Sequence, residues 1–146
     1  MTVKKLDKIL LIDDSDADNF LHSRLIQKAG ISNNVIIKKN GFEALDYLTS
    51  EIDGAYPNPE LIFLDINMPG MNGWEFLEAY KLLEEEKRAE IIICMLTTGY
   101  SEGDKEKAKE FGLIDDYIGK PLTKDRLLKI YNDIINNSKL ELANLS

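Results

Sequence analysis

Asp13, Asp14, Asp65, Thr97 and Lys120 are the side chains whose types and positions could do chemistry together. Each follows a short apolar run: Ile9-Leu10-Leu11-Ile12 before the acidic pair, Leu61-Ile62-Phe63-Leu64 before Asp65, Ile91 to Leu96 before Thr97, and Tyr117-Ile118-Gly119 before Lys120. Runs of this length without polar alternation read as strands covered on both faces. Open α/β sheets place ligand sites at the carboxyl ends of their strands, so these groups are expected to converge in one shallow cleft. Three carboxylates gathered there repel, at about 4 kcal/mol per pair some 4 Å apart for an effective dielectric near 20. Lys120 relieves part of that cost, and a divalent cation with oxygen ligands relieves more. Mg²⁺ suits Asp13, Asp14 and Asp65 because it takes one or two carboxylates, keeps several waters and coordinates a phosphate oxygen; the backbone carbonyl of Asn67 is a further candidate ligand. A carboxylate beside Mg²⁺ can attack phosphorus and become an aspartyl phosphate. Mg²⁺ and Lys120 would stabilise the transferring group, and the Thr97 hydroxyl could turn to its oxygens.

The elements that must position these groups alternate along the chain. A helix after the first strand is expected from Ser15 or Asp16, both good N-caps, to Ala29, with Ala17, Leu21, Leu25 and Ala29 as its apolar row and Phe20 beside it. Gly30 closes it, and Val35-Ile36-Ile37 gives a second strand. Asn40 caps a short helix with Phe42, Leu45 and Leu48 inward, and Ser50 to Glu60 is a loop marked by Gly54, Pro57 and Pro59. Met68-Pro69-Gly70 stops the central strand, and a third helix starts near Asn72 with Trp74, Leu77 and Tyr80 toward the core. Ser101 to Phe111 is a weak fourth helix with little apolar surface, ended by Gly112. Thr123 caps a last helix whose inner row is Leu127, Tyr131 and Ile134, fading at Asn136-Asn137. Five strand–helix units in alternation imply an α/β fold with parallel strands and right-handed crossovers, and they fit a known template, the flavodoxin-like (βα)5 doubly wound parallel sheet with strand order 2-1-3-4-5.

Composition bounds the function. The 146 residues suffice for one domain with a core; 44% apolar and 30% charged residues fit a globular chain. A net charge of −8 argues against DNA as a partner, since nucleic-acid affinity comes largely from cations on phosphates. No apolar run has membrane-spanning length, and no signal peptide is seen at Met1-Thr2-Val3-Lys4-Lys5, so a cytoplasmic setting is expected. Cys94, the one cysteine, reads as a small core residue, and His22 as a solvated helix residue.

The constellation resembles the receiver domain of two-component response regulators. The carrying residues are Asp13-Asp14, Asp65 with Met68-Pro69-Gly70-Met71-Asn72-Gly73, Thr97, and Lys120-Pro121, and the match runs from about Lys8 to Asn137. The resemblance implies that Asp65 accepts a phosphoryl group from a phosphohistidine on a sensor histidine kinase or histidine phosphotransfer protein. It implies that Asp13 and Asp14 hold Mg²⁺ and that Lys120 pairs with the phosphate. Tyr117 matches the family's aromatic switch, which would move with Thr97 and alter the surface of the fourth helix, fifth strand and fifth helix for a downstream protein target. Thr98 stands where the family most often has alanine, followed by Gly99. The long Ser50–Glu60 loop and the Leu96-Thr97-Thr98 run are similar to standalone receivers that work beside phytochrome-type or hybrid kinases. On this reading residues 1–137 are the receiver and 138–146 a short tail, too short for an output domain, in a monomer or homodimer. The protein is then a signalling switch and not an enzyme, at most phosphorylating itself slowly from small donors and losing the phosphate slowly.

Two rivals use the same sheet. A Mg²⁺-dependent phosphatase with Asp65 as nucleophile would want a general-acid aspartate two places on, where Asn67 stands. A flavin-binding module would want a phosphate-cradling loop after the first strand, where Asp13-Asp14 would repel the phosphate.

Overall fold

The computed structural model describes residues 5–87, 92–97, 102–112 and 114–145. Strands β1 (Ile9–Ile12), β2 (Val35–Lys38), β3 (Leu61–Asp65), β4 (Ile92–Thr97) and β5 (Ile114–Gly119) alternate with helices α1 (Asp16–Ala29), α2 (Gly41–Thr49), α3 (Gly73–Lys81), α4 (Glu102–Phe111) and α5 (Lys124–Leu145). The five strands form one sheet in the order β2-β1-β3-β4-β5, every pair parallel. This is the doubly wound arrangement expected from the alternation.

The apolar runs of β1 and β3 are buried along their whole length, as strands covered on both faces require. Their side chains alternate between two cores. Ile9, Leu11, Leu61 and Phe63 point to the face that packs on Ile26 of α1 and on Leu127, Tyr131 and Ile134 of α5. Leu10, Ile12, Ile62 and Leu64 point to the opposite face, against Ala44 and Leu48 of α2 and Phe76, Leu77 and Tyr80 of α3. Strand β5 starts earlier than Tyr117 because the edge accommodates Asp115-Asp116: Ile93 pairs with Ile114 but Cys94 with Asp116, leaving Asp115 as an extra residue.

The caps form as the residue types dictate. Ser15, Asn40 and Asn72 each accept a backbone N–H three residues on, and Asn72 with Glu75 makes a reciprocal capping box. Gly30 adopts φ 71 to end α1.

Three helix faces differ from expectation. On α1, Phe20 and Leu21 are 61% and 56% exposed, while Asn19, His22 and Ile26 are buried. The helix is turned so that polar groups reach the strand ends, where hydrogen-bond partners wait; His22 is therefore an interior residue and not a solvated one. On α2, Phe42 is 64% exposed, and Gly41 is buried beside Ala44 and Leu48, packed so closely on Met71 that a Cβ at Gly41 would strike that side chain. On α3 the third core residue is Phe76, and Trp74 is half-buried, stacked on Phe111 of α4 at 5.8 Å. Helix α5 runs past Asn136-Asn137 to Leu145. The expectations for Thr98, Gly99, Ser101 and the first four residues lie outside the described residues, as do those for the side chains of Cys94, Thr97 and Tyr117.

Gly73 brings α3 against the end of β3. Its N–H donates to the Ile66 carbonyl at 2.8 Å, and a Cβ there would lie 2.7 Å from Ile66 Cα and 2.8 Å from the Asp65 carbonyl oxygen. Both obstacles are backbone, so they cannot swing aside. Gly73→Ala is expected to lower the unfolding free energy by about 1–3 kcal/mol, read from urea denaturation. An unchanged midpoint would show that the helix start can shift freely.

Candidate functional site

The carboxyl ends of β1, β3 and β5 bring Asp13, Asp14, Asp65 and Lys120 together. Asp65 is the last residue of β3, and Asp13 directly follows β1. One carboxylate oxygen from each of Asp13, Asp14 and Asp65 lies within 4.8 Å of the others. Asp13 and Asp65 are 2% and 4% exposed, whereas Asp14 is open to solvent. Lys120 Nζ reaches in from the end of β5, 2.7 Å from Asp13 Oδ2 and 3.6 Å from Asp65 Oδ1. Thr97 ends β4, paired with Gly119, and Tyr117 pairs with Met95; these are register positions at the same edge and one turn of the pleat back.

Each acid is oriented by its neighbours. Ser15 N–H donates to Asp13 Oδ1 at 2.9 Å, and the Asn19 side-chain amide donates to the Asp13 carbonyl at 2.8 Å. The Asn67 N–H donates to Asp65 Oδ1 at 3.4 Å, a long bond that leaves the carboxylate weakly held. Asp13 Oδ2 is buried and, beyond its ion pair with Lys120, makes no hydrogen bond, so it keeps acceptor capacity. Clustered oxygen donors with spare capacity and one ligand open to water fit a small hard cation that keeps part of its hydration shell.

Asp18 completes the site and was not singled out from the sequence. Its Oδ2 accepts from Lys120 Nζ at 2.9 Å. Asp18 stands three residues after Ser15, the pattern of a capping box, and its N–H does donate to Ser15 Oγ at 3.2 Å. Its carboxylate pairs with Lys120, and the Ser15 N–H that a capping box would bind donates to Asp13 Oδ1 instead. A second missed residue is His22, whose Nε2 accepts from Leu122 N–H at 3.4 Å and ties α1 to the segment after Lys120.

The electrostatics follow from this packing. Burial, then the charge of Asp13, push the Asp65 carboxyl up to about 6, against the opposing pull of Lys120 and the Asn67 N–H. Burial alone would lower the Lys120 ammonium, but its contacts with Asp13 and Asp18 outweigh that and raise it. The bond to Lys120 lowers Asp18. Burial lowers His22, in keeping with Nε2 serving as an acceptor.

A raised Asp65 predicts an opposite stability trend to the usual carboxylate. The folded protein holds that proton more tightly than the unfolded chain, so stability present below pH 3.8 is lost as pH rises through about 6. In metal-free buffer at pH 7.5, Asp65→Asn is expected to be more stable than the parent by about 1–2 kcal/mol, the full linkage value being reduced by the water around Asp14. At pH 3.5 the two should unfold together. A parent stability that rises between pH 4 and 7 with no gain from the amide would contradict this origin of the shift.

This sheet with an acidic cluster and a lysine at its carboxyl edge defines a class, and the chain belongs to it: the family model described as response regulator receiver domain matches residues 9–132. Receiver domains are phosphoacceptor switches of two-component signalling and not conventional enzymes. The chain is 38% identical over 125 residues to two-component response regulator 24 of Arabidopsis thaliana, covering 86% of this chain and 81% of that one. It is 34% identical over 124 residues to response regulator Rcp1 of Synechocystis sp., covering 83% and 78%. Among solved structures, a two-component response regulator from Cytophaga hutchinsonii superposes with a TM-score of 0.80 at 34% identity, covering 91% of this chain and 99% of that one. Relatives also include hybrid signal transduction histidine kinases of Dictyostelium discoideum. Among the described residues, no helix is long and apolar enough to cross a membrane.

Proposed function

We propose that Asp65 is the phosphoacceptor of this receiver, that Asp13, Asp14 and Asp65 with the Asn67 carbonyl hold Mg²⁺, and that the Lys120 ammonium pairs with the phosphoryl group that Asp65 carries. The observation that carries this reading is the triad of acidic oxygens within 4.8 Å of one another with Lys120 Nζ in contact with both Asp13 and Asp65. An oxygen of Asp65 attacks the phosphorus of a phosphohistidine on a sensor kinase or phosphotransfer protein. The O–P bond forms as the P–N bond breaks, and the imidazole leaves with that electron pair. When bound, the cation offsets charge on the transferring oxygens and keeps the acceptor ionised despite its raised affinity for a proton. Lys120, whose proton is held firmly, supplies a second fixed positive charge on the same side.

The downstream half of the proposal concerns Thr97 and Tyr117. Their register at the β4–β5 edge supports a hydroxyl that answers the phosphoryl group and an aromatic that follows it, altering the α4-β5-α5 surface for a protein target. Residues 1–137 would form this switching unit. Self-phosphorylation from small donors and slow loss of the phosphate belong to the same chemistry.

Trp74 is a natural reporter: it is the chain's single tryptophan, it follows Gly73 against the Asp65 backbone, and it stacks on Phe111 of α4. Beryllofluoride, which mimics a phosphoryl group on a carboxylate, is expected to change Trp74 fluorescence only when Mg²⁺ is present. A response to Mg²⁺ alone with no further response to beryllofluoride would overturn the phosphoacceptor reading.

A further inference from the structure

Lys120 is held by a carboxylate that plays no part in the acidic cluster. Its ammonium lies 2.9 Å from Asp18 Oδ2 and 3.6 Å from Asp65 Oδ1, so in the resting site it is closer to α1 than to the acceptor. The three acids suited to a cation are Asp13, Asp14 and Asp65; Asp18 is not among them. A cation bound there would offset the pull of Asp13 on Lys120 but would leave that of Asp18 largely in place. The two partners also differ in what release would cost. The Asp13 side chain is 3% exposed and would be stranded without its ion pair, whereas the Asp18 side chain is 35% exposed and can be rehydrated. An ammonium has three donors, and a phosphoryl group on Asp65 would offer it oxygens of higher charge than one carboxylate.

We infer that Asp18 is a positioning residue that competes with the phosphoryl group for Lys120, and so sets how tightly an anion is held at Asp65. This rests on the phosphoacceptor reading above. Asp18 would act by keeping the ammonium partly engaged with α1, lowering the affinity of the site for any anion added to Asp65. Its sign separates it from a structural role: loosening the site by damage would weaken anion binding, whereas removing a competitor strengthens it.

The test is a beryllofluoride titration at saturating Mg²⁺, followed by Trp74 fluorescence, on the full chain. Asp18→Asn, which keeps the shape and removes the charge, is expected to tighten beryllofluoride binding by about tenfold. Asp18→Ala should tighten it in the same direction, and Asp18→Glu should return it to near the parent value. Mg²⁺ affinity without beryllofluoride should weaken by no more than about threefold in any of the three, since the cluster is intact. Binding that is unchanged or weaker in both Asp18→Asn and Asp18→Ala overturns the inference, and equal tightening by Asp18→Glu would show that bulk and not charge is responsible, overturning it as well. A parent protein that binds Mg²⁺ yet ignores beryllofluoride removes the phosphoacceptor reading itself, an outcome distinct from a responsive parent with indifferent variants.

Discussion

Asp65→Asn is expected to abolish hydroxylamine-sensitive phosphate uptake, by at least about a thousandfold, because an amide offers no anionic oxygen to phosphorus. The measurement is intact-protein mass after exposure to phosphoramidate with Mg²⁺, repeated after hydroxylamine, which cleaves acyl phosphates. The other acids of the site are poor substitutes for different reasons. Asp13 is 2% exposed, bonded to Ser15 N–H and paired with Lys120. Asp14 is open to water, and the Lys120 ammonium is engaged with Asp13, Asp18 and Asp65 instead, so an attacking oxygen there would lack that fixed positive charge. Asp65 alone among them is buried, loosely bonded and within reach of the ammonium. Uptake retained in the variant at parent levels would move the acceptor to another residue, Asp14 first.

The central strands and the acids that end them were legible because burial on both faces leaves a mark in the sequence. Leu61 to Leu64 has no polar residue to place in water, and the carboxylate that follows can only sit at the strand end. Asn40 and Asn72 were legible as caps because their side chains act on the backbone three residues away, a local event. What was not legible depends on contacts between distant segments. Asp18 looks from the sequence like an acid at a helix start, which the helix dipole alone would explain. Its partner stands 102 residues later. The apolar row of α1 misled for a related reason: Asn19 and His22 are polar but find buried partners in the Asp13 carbonyl and the Leu122 N–H. Burial of those two turns Phe20 and Leu21 outward, against their hydrophobicity. A hydrophobic count treats polar side chains as outward-facing and cannot anticipate a helix whose inner face serves the strand ends.

Lys120→Ala carries the second large effect, on stability as well as on the switch. In metal-free buffer at pH 7.5 it is expected to lower the unfolding free energy by about 3–5 kcal/mol, since removing one member of a buried ionic group leaves the others uncompensated. The Lys120 side chain is 9% exposed and contacts Asp13, Asp18 and Asp65 at 2.7, 2.9 and 3.6 Å. Two conditions should shrink the deficit. At pH 5, below the value of about 6 for Asp65, that carboxyl carries a proton and one of the stranded charges disappears. With saturating Mg²⁺, the cation takes over part of the compensation, so the variant should gain more stability from the metal than the parent does. The phosphoryl side should not recover: the Trp74 response to beryllofluoride is expected to fall away while the response to Mg²⁺ persists. Denaturation at both pH values, with and without Mg²⁺, separates these contributions. A metal-free variant as stable as the parent at pH 7.5 would mean that the acids of the cluster are relieved by water alone, and Lys120 would then have no charge-balancing role for a phosphoryl group to exploit.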